Sequence, residues 1–192
     1  MATESRRART LLVLTFLLFF LPIAGAWLLN VFAPGWRPFG TVNYGTLVQP
    51  ARLVSAAGLA DPQGRKLDPG YLSGRWTIVQ VQRSGCAEAC AEALARTLQV
   101  QGALGEDAHR VQRLLVVASE GAAVSPGPES QLTLTLARDQ WLSPFSFDDE
   151  GARSAIYLVD PQGYLMMRYP LDVKQRELLA DLERLLKISK IG

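Results

Sequence analysis

Hydrophobic positions along this chain obey two different rules. Between Arg9 and Arg37 no charged residue occurs, and "LLVLTFLLFFLPIAGAWLLNVFAPGW" reads as one apolar run. Roughly 20 apolar residues span the hydrocarbon core of a bilayer, so the run predicts a transmembrane helix over residues 10–33. Further along, apolar residues come in short periodic groups. "GRWTIVQVQ", Gly74 to Gln82, is rich in β-branched and aromatic residues and predicts a core strand. From Ala87 the period changes: Ala91, Leu94, Leu98 and Val100 mark one face of a helix that runs to Leu104. "RVQRLLVVAS" predicts a second buried strand, and "QLTLTLA" alternates as a strand with one exposed face does. "SAIYLVDPQGYLMMRYP" is two apolar runs around a turn and predicts a hairpin. Leu178, Leu179, Leu182, Leu185 and Leu186 predict a closing amphipathic helix.

A helix between two hydrophobic strands implies a parallel βαβ unit, and the hairpin adds antiparallel strands. The order strand, helix, strand, loop, strand, hairpin, helix is the thioredoxin-like plan, an α/β fold with a central mixed sheet flanked by helices. "ARLVSAAGLADPQG" predicts a short strand and a turn ahead of it, because Asp61-Pro62-Gln63-Gly64 has turn chemistry. A second Asp-Pro-Gln-Gly, at 160–163, closes the hairpin, and its unrelated flanks argue against an internal repeat. "EGAAVSPGPES" reads as a loop, and "APGWRPFGTVNYGTLVQPAR" as an extended linker. The expected organisation is a cytoplasmic tail over 1–9, the transmembrane anchor over 10–33, a linker over 34–50 and a thioredoxin-like periplasmic domain over 51–192.

The orientation follows from charge. Arg6, Arg7 and Arg9 precede the apolar run and hold that end in the cytoplasm, while Trp27 and Trp36 suit the far interface. Ala24-Gly25-Ala26 has the form of a signal-peptide cleavage site, but the run continues through Leu28, Leu29, Val31 and Phe32. A retained signal-anchor is the preferred reading. On either reading the remainder is exported, and the expected location is a bacterial inner membrane with the C-terminal domain in the periplasm, where disulfides persist. Composition removes two classes. With 48% hydrophobic and 20% charged residues the chain is not disordered, and a net charge of +2 with dispersed arginines offers no nucleic-acid surface.

Both cysteines lie in "RSGCAEAC", as Cys86 and Cys90, where the first core strand meets the first helix. Together with "NYGTLVQPAR", "GRWTIVQV" and "YLVDPQGYLMMRYP", this Cys-x-x-x-Cys resembles the Sco/SenC family of copper chaperones for cytochrome c oxidase assembly. The closer likeness is to small membrane proteins encoded among proteobacterial oxidase assembly genes. The resemblance implies copper, as Cu(I), handled by Cys86 and Cys90, with an oxidase subunit or another copper chaperone as partner. It also implies a third ligand, a histidine ahead of the hairpin. In "DDEGARSAIYLVD" that position falls at Ala152 or Arg153, and no histidine stands there.

His109 is the chain's one histidine, and it precedes the strand that follows the helix. The helix of about 16 residues separates it from the cysteines by roughly 24 Å, which disfavours it as a substitute ligand. Met166 and Met167 are neighbours on a strand and face opposite ways, so at least one packs in the core. Two thiolates alone suit soft Cu(I). As a redox couple, a cysteine at a helix N-terminus gains thiolate stability from the dipole. Glu88 between the sulfurs, the three-residue spacing and the lack of proline in "GARSAIYLV" count against a general oxidoreductase. A disulfide closing so short a loop stabilises little. Asp148, Asp149 and Glu150 read as a solvated loop, and no Gly-x-Ser-x-Gly elbow occurs. Three readings remain open. One is a non-enzymatic oxidase assembly factor using thiol exchange or transient Cu(I) handling. The second is a membrane-tethered thiol-disulfide oxidoreductase with Cys86 attacking and Cys90 resolving. The third is a degenerate thioredoxin-like protein with a structural disulfide and a protein-interaction role.

Overall fold

The apolar N-terminal run forms one helix, α1 (Ala2–Phe32), in the computed structural model of the chain. The structure describes residues 2–32, 43–83, 88–118, 132–137, 139–145 and 154–189. Arg9–Phe32 is 24 residues of mean hydropathy 2.4 with none of it buried. At 1.5 Å per residue it reaches about 36 Å, beyond the ~30 Å of a bilayer's hydrocarbon core. Thr10 and Thr15 donate their hydroxyls to the carbonyls of Arg6 and Leu11, which removes the polar groups from the apolar surface. The helix begins at Ala2, so the short segment expected as a tail continues it.

A second compact unit comprises Asn43–Gly192. Its elements are β1 (Thr46–Leu53), β2 (Trp76–Gln82), α2 (Glu88–Ala103), β3 (Val111–Val117), β4 (Leu132–Leu136), α3 (Asp139–Leu142), β5 (Ala155–Val159), β6 (Tyr164–Pro170) and α4 (Gln175–Ile188). They form one sheet in the order β1-β6-β5-β2-β3-β4. β2, β3 and β4 are parallel, and β5, β6 and β1 add antiparallel pairs. This is the mixed sheet that the βαβ unit and the hairpin predict.

β2 and β3 are buried at all seven positions, which accounts for their nearly continuous apolar runs. On one face Trp76, Ile78, Val111, Met167 and Tyr169 pack under α2 and α4. On the other, Val79, Val81, Leu114, Val116 and Tyr157 meet Leu59, Leu72, Leu142 and Phe145. That second layer is built from residues 54–72 and the short α3 region rather than from a long helix.

Two elements differ from the sequence reading. β1 starts at Thr46, inside the stretch whose composition reads as linker, because pairing with β6 supplies the ladder that local propensity lacks. Pro50, after a cis peptide bond, falls where the β1–β6 register is interrupted between Leu47 and Arg52, so its missing N–H removes no ladder bond. In β4 the threonine face is covered rather than exposed. Thr135 is fully buried and donates to the Leu115 carbonyl, while Thr133 and the Tyr71 hydroxyl are 2.7 Å apart.

The two Asp-Pro-Gln-Gly turns share one construction. Asp61 Oδ1 accepts from the N–H groups of Gln63 and Arg65, and Asp160 Oδ1 from those of Gln162 and Tyr164. Each ends on a glycine with positive φ, Gly64 at +79° and Gly163 at +89°. At the domain's entry, buried Asp181 of α4 accepts through Oδ2 from Tyr44 N–H (2.8 Å), Gly45 N–H (2.9 Å) and the Tyr169 hydroxyl (2.9 Å). Burial first, then the Asp181 charge and this hydrogen bond, push the Tyr169 phenol well above its ordinary pKa. A Cβ on Gly45 would collide with the Tyr169 ring, so a residue without one is required there.

Candidate functional site

β2 ends at Gln82 and α2 begins at Glu88, so Cys90 sits just past the strand-to-helix connection. Cys86 lies outside the described residues. Cys90, in the first turn of α2, is 1% exposed and packs with Leu115, Val117, Leu134 and Leu94. It is not a free thiol. Its inward position follows from the helix period, since Cys90, Ala93, Thr97, Val100 and Gln101 are the buried face of α2. Beneath it, Gln80 of β2 points the same way. The Gln80 Nε2 donates to the Cys90 carbonyl at 3.1 Å and approaches Cys90 Sγ at 3.5 Å. Glu88, exposed in the first turn, complements the helix dipole.

The start of β5 comes beside this turn. Ala155 pairs with Val81, and the Arg83 N–H donates to Ser154 Oγ at 3.1 Å. Ser154, the first described residue after the neighbourhood expected to carry a third ligand, therefore lies beside Arg83. Ala152 and Arg153, like the acidic run Asp148, Asp149 and Glu150, lie outside the described residues. His109 is exposed in a 3-10 turn (Gly105–Arg110), with Nδ1 2.6 Å from the Glu106 carbonyl. β3 begins just beyond it, with Val111 opposite Trp76, whereas Gln82, next to the cysteine turn, is opposite Val117. Six strand residues at about 3.3 Å each put roughly 20 Å between these edges. His109 is not brought to the cysteines. Met167 is buried on the α2/α4 face, where its sulfur lies 3.4 Å from the Tyr169 hydroxyl, and half-buried Met166 packs against the same cluster. Both are core residues rather than sulfur ligands. Among the described residues no group of three or more His, Cys, Asp or Glu is placed to hold a metal ion.

The protein-family model described as "Transmembrane-like, thioredoxin-like, C-terminal domain" matches residues 76–189. The chain belongs to this family. No curated protein matches it. Among solved structures, yeast Sco1 with copper bound is similar at TM-score 0.55 and 15% identity, covering 78% of this chain and 96% of that one. BsSco, described as a Sco-family cytochrome c oxidase assembly protein with a disulfide switch, is similar at TM-score 0.50 and 14% identity, covering 72% and 96%. A putative protein disulfide isomerase from Bacteroides thetaiotaomicron is similar at TM-score 0.57 and 14% identity, covering 76% and 95%. At such identities the shared property is the fold.

In this transmembrane-like, thioredoxin-like domain the site includes residues that the motif alone does not reveal. Gln80 and Gln82 are the two amides of the otherwise largely apolar "WTIVQVQ", and both are buried. Strand alternation places them on one face, a signal that was present in the sequence. Arg113 of β3 lies on the same side and is 2% exposed. Its Nε donates to Thr97 Oγ1 (3.1 Å) and its Nη2 to the Leu94 carbonyl (2.7 Å) of α2. Burial lowers its pKa from 12.5 to about 10, so it is charged at neutral pH inside the domain.

Proposed function

We propose that this protein is a membrane-anchored accessory factor in respiratory cytochrome c oxidase assembly. Its N-terminus is cytoplasmic and its thioredoxin-like domain periplasmic. The working group is the Cys86/Cys90 pair, which cycles between dithiol and disulfide with a partner thiol or carries Cu(I) transiently as cargo. The observation that carries this reading is Cys90. It sits at the strand-to-helix turn of a fold shared with copper-bound Sco1 and with the oxidase assembly protein BsSco, and it carries no free thiol in a chain with two cysteines. Two thiolates suit a soft monovalent ion, and a histidine-free donor set favours brief carriage over a resident centre. The anchor reading is supported by the 24-residue apolar helix and by the family's transmembrane-like description.

The test is deletion of the gene, complemented with wild type or with Cys86→Ser/Cys90→Ser. Loss of oxidase activity and of its copper centre, restored by wild type alone, is the expected result. Normal oxidase in the deletion strain sinks the proposal. Full rescue by the double-serine form removes the cysteines from it. The likeness to a putative disulfide isomerase favours one second reading, a membrane-tethered thiol-disulfide oxidoreductase. Catalytic insulin reduction well above a Cys86→Ser control would establish it instead.

A further inference from the structure

We propose that Gln80 is a positioning residue for the Cys90 sulfur and that its amide sets the balance between the dithiol and disulfide forms of the Cys86/Cys90 pair. This rests on the reading of that pair as redox-active. Gln80 is 2% exposed in the central strand of the sheet. Its Nε2 faces two acceptors, the Cys90 carbonyl at 3.1 Å and Cys90 Sγ at 3.5 Å. That pairing fixes which way the amide points, because Oε1 turned toward either atom would be repelled. Both N–H donors are thereby committed to one residue. Oε1 is left buried with no hydrogen-bond partner, and so is Nε2 of Gln82, two residues further along the same face. An orphaned buried amide is destabilising, and Leu or Met would fill the same space without it. Packing gives no reason for an amide here. The sulfur beside it does.

An N–H donor gains more from a sulfur bearing negative charge than from a neutral disulfide sulfur, and a water-free site enlarges the difference. Gln80 therefore favours the reduced pair. Being neutral and without a titrating proton, it acts as a fixed dipole rather than as an acid or base. The balance concerned is reduction of the Cys86–Cys90 disulfide by two molecules of glutathione. The protein S–S bond breaks, two electrons come from the glutathione sulfurs, one proton passes to the Cys86 sulfur and one to solvent, which leaves Cys90 as the thiolate that Gln80 faces, and glutathione disulfide forms.

The full chain in detergent micelles, as wild type, Gln80→Met and Gln80→Leu, is equilibrated in glutathione buffers of graded ratio, and the reduced fraction is read by alkylation and mass. Both variants are expected to lower the equilibrium constant for reduction about tenfold, equivalent to about 30 mV more negative for a two-electron couple. Their melting temperatures should stay level or rise as the orphaned carbonyl is removed. An equilibrium constant within twofold of wild type in folded Gln80→Met overturns the assignment, as does a lowered melting temperature with the equilibrium unmoved. A wild-type pair that never interconverts overturns it too, since there would be no couple to set. The function proposed above fails separately. A tenfold shift together with full rescue of oxidase by the double-serine form leaves Gln80 in its role and removes the cellular reading.

Discussion

Arg113 is a charge whose burial costs the domain about as much as its hydrogen bonds return. It is 2% exposed, two of its nitrogens bond to α2, and Nη1 is buried with no hydrogen-bond partner. Burial alone accounts for its pKa falling from 12.5 to about 10. That fall corresponds to about 3 kcal/mol of destabilisation at neutral pH. Arg113→Met removes this cost and gives up two charge-assisted hydrogen bonds of roughly 1.5 kcal/mol each, the low end for a charged donor. Neither helix partner is stranded, because Thr97 Oγ1 still donates to the Leu94 carbonyl at 3.0 Å. The two contributions nearly cancel, so the variant should stay within about 1 kcal/mol of wild type, read from the urea midpoint of the detergent-solubilised chain by near-UV circular dichroism. The pH dependence has a definite sign. Between the folded and unfolded pKa values the unfolded arginine binds the proton that the folded one has released, so wild type gains on the variant as pH rises through 10. By pH 11 the balance should move toward wild type by about 1 kcal/mol. Subtracting the two proteins cancels the contributions of all other groups. A variant less stable than wild type by more than about 1 kcal/mol at pH 7, or a difference flat from pH 8 to 11, would refute this account.

Other perturbations test other parts of the structure. Asp181→Ala strands two backbone N–H groups and the Tyr169 hydroxyl, and should cost about 3 to 5 kcal/mol with loss of amide-exchange protection at Tyr44 and Gly45. Unchanged protection there would show that other contacts hold the entry segment. The alkaline limb should change as well: above pH 10 unfolded tyrosine ionises while buried Tyr169 does not, so stability falls, and less steeply once the Asp181 charge is gone. The matched turns give a paired test. Gly64→Ala should cost about 1 kcal/mol for its positive φ alone. Gly163→Ala should cost about 2 kcal/mol or more, because its Cβ also meets the Val54 carbonyl at 3.0 Å. Equal losses in thermal melts would contradict the packing explanation.

β2, α2 and β3 were legible because their side chains are sorted by burial alone, and burial is what hydrophobic spacing reports. The hairpin was legible because Asp160 and Gly163 are local turn chemistry. Of β1 only the end, residues 51–53, was legible as a short strand; its first half was not, since its strand state comes from β6, distant in sequence, against a local composition of Gly, Pro and Asn. At the site, the motif gave the address of Cys90 and the exclusion of His109. The hydrogen bond from Gln80, ten residues away, required the packing of α2 against β2 before it could be seen. Asp181 shows the same limit more sharply. It stands between Leu178 and Leu182 on an amphipathic helix, and nothing local distinguishes it from a solvated acid until Tyr44 arrives from 137 positions away.

That Asp181 contact also decides how the domain would answer a pull. Tension on the chain at residue 43 meets the bonds at Tyr44 and Gly45 before it meets the first residue of β1. It is handed to α4 and, through Tyr169, to β6. The cysteine turn hangs from β2 at the centre of the sheet, two strands in from β6. A tug along the tether should therefore be taken up at the domain's edge and leave the spacing of Gln80 and Cys90 undisturbed.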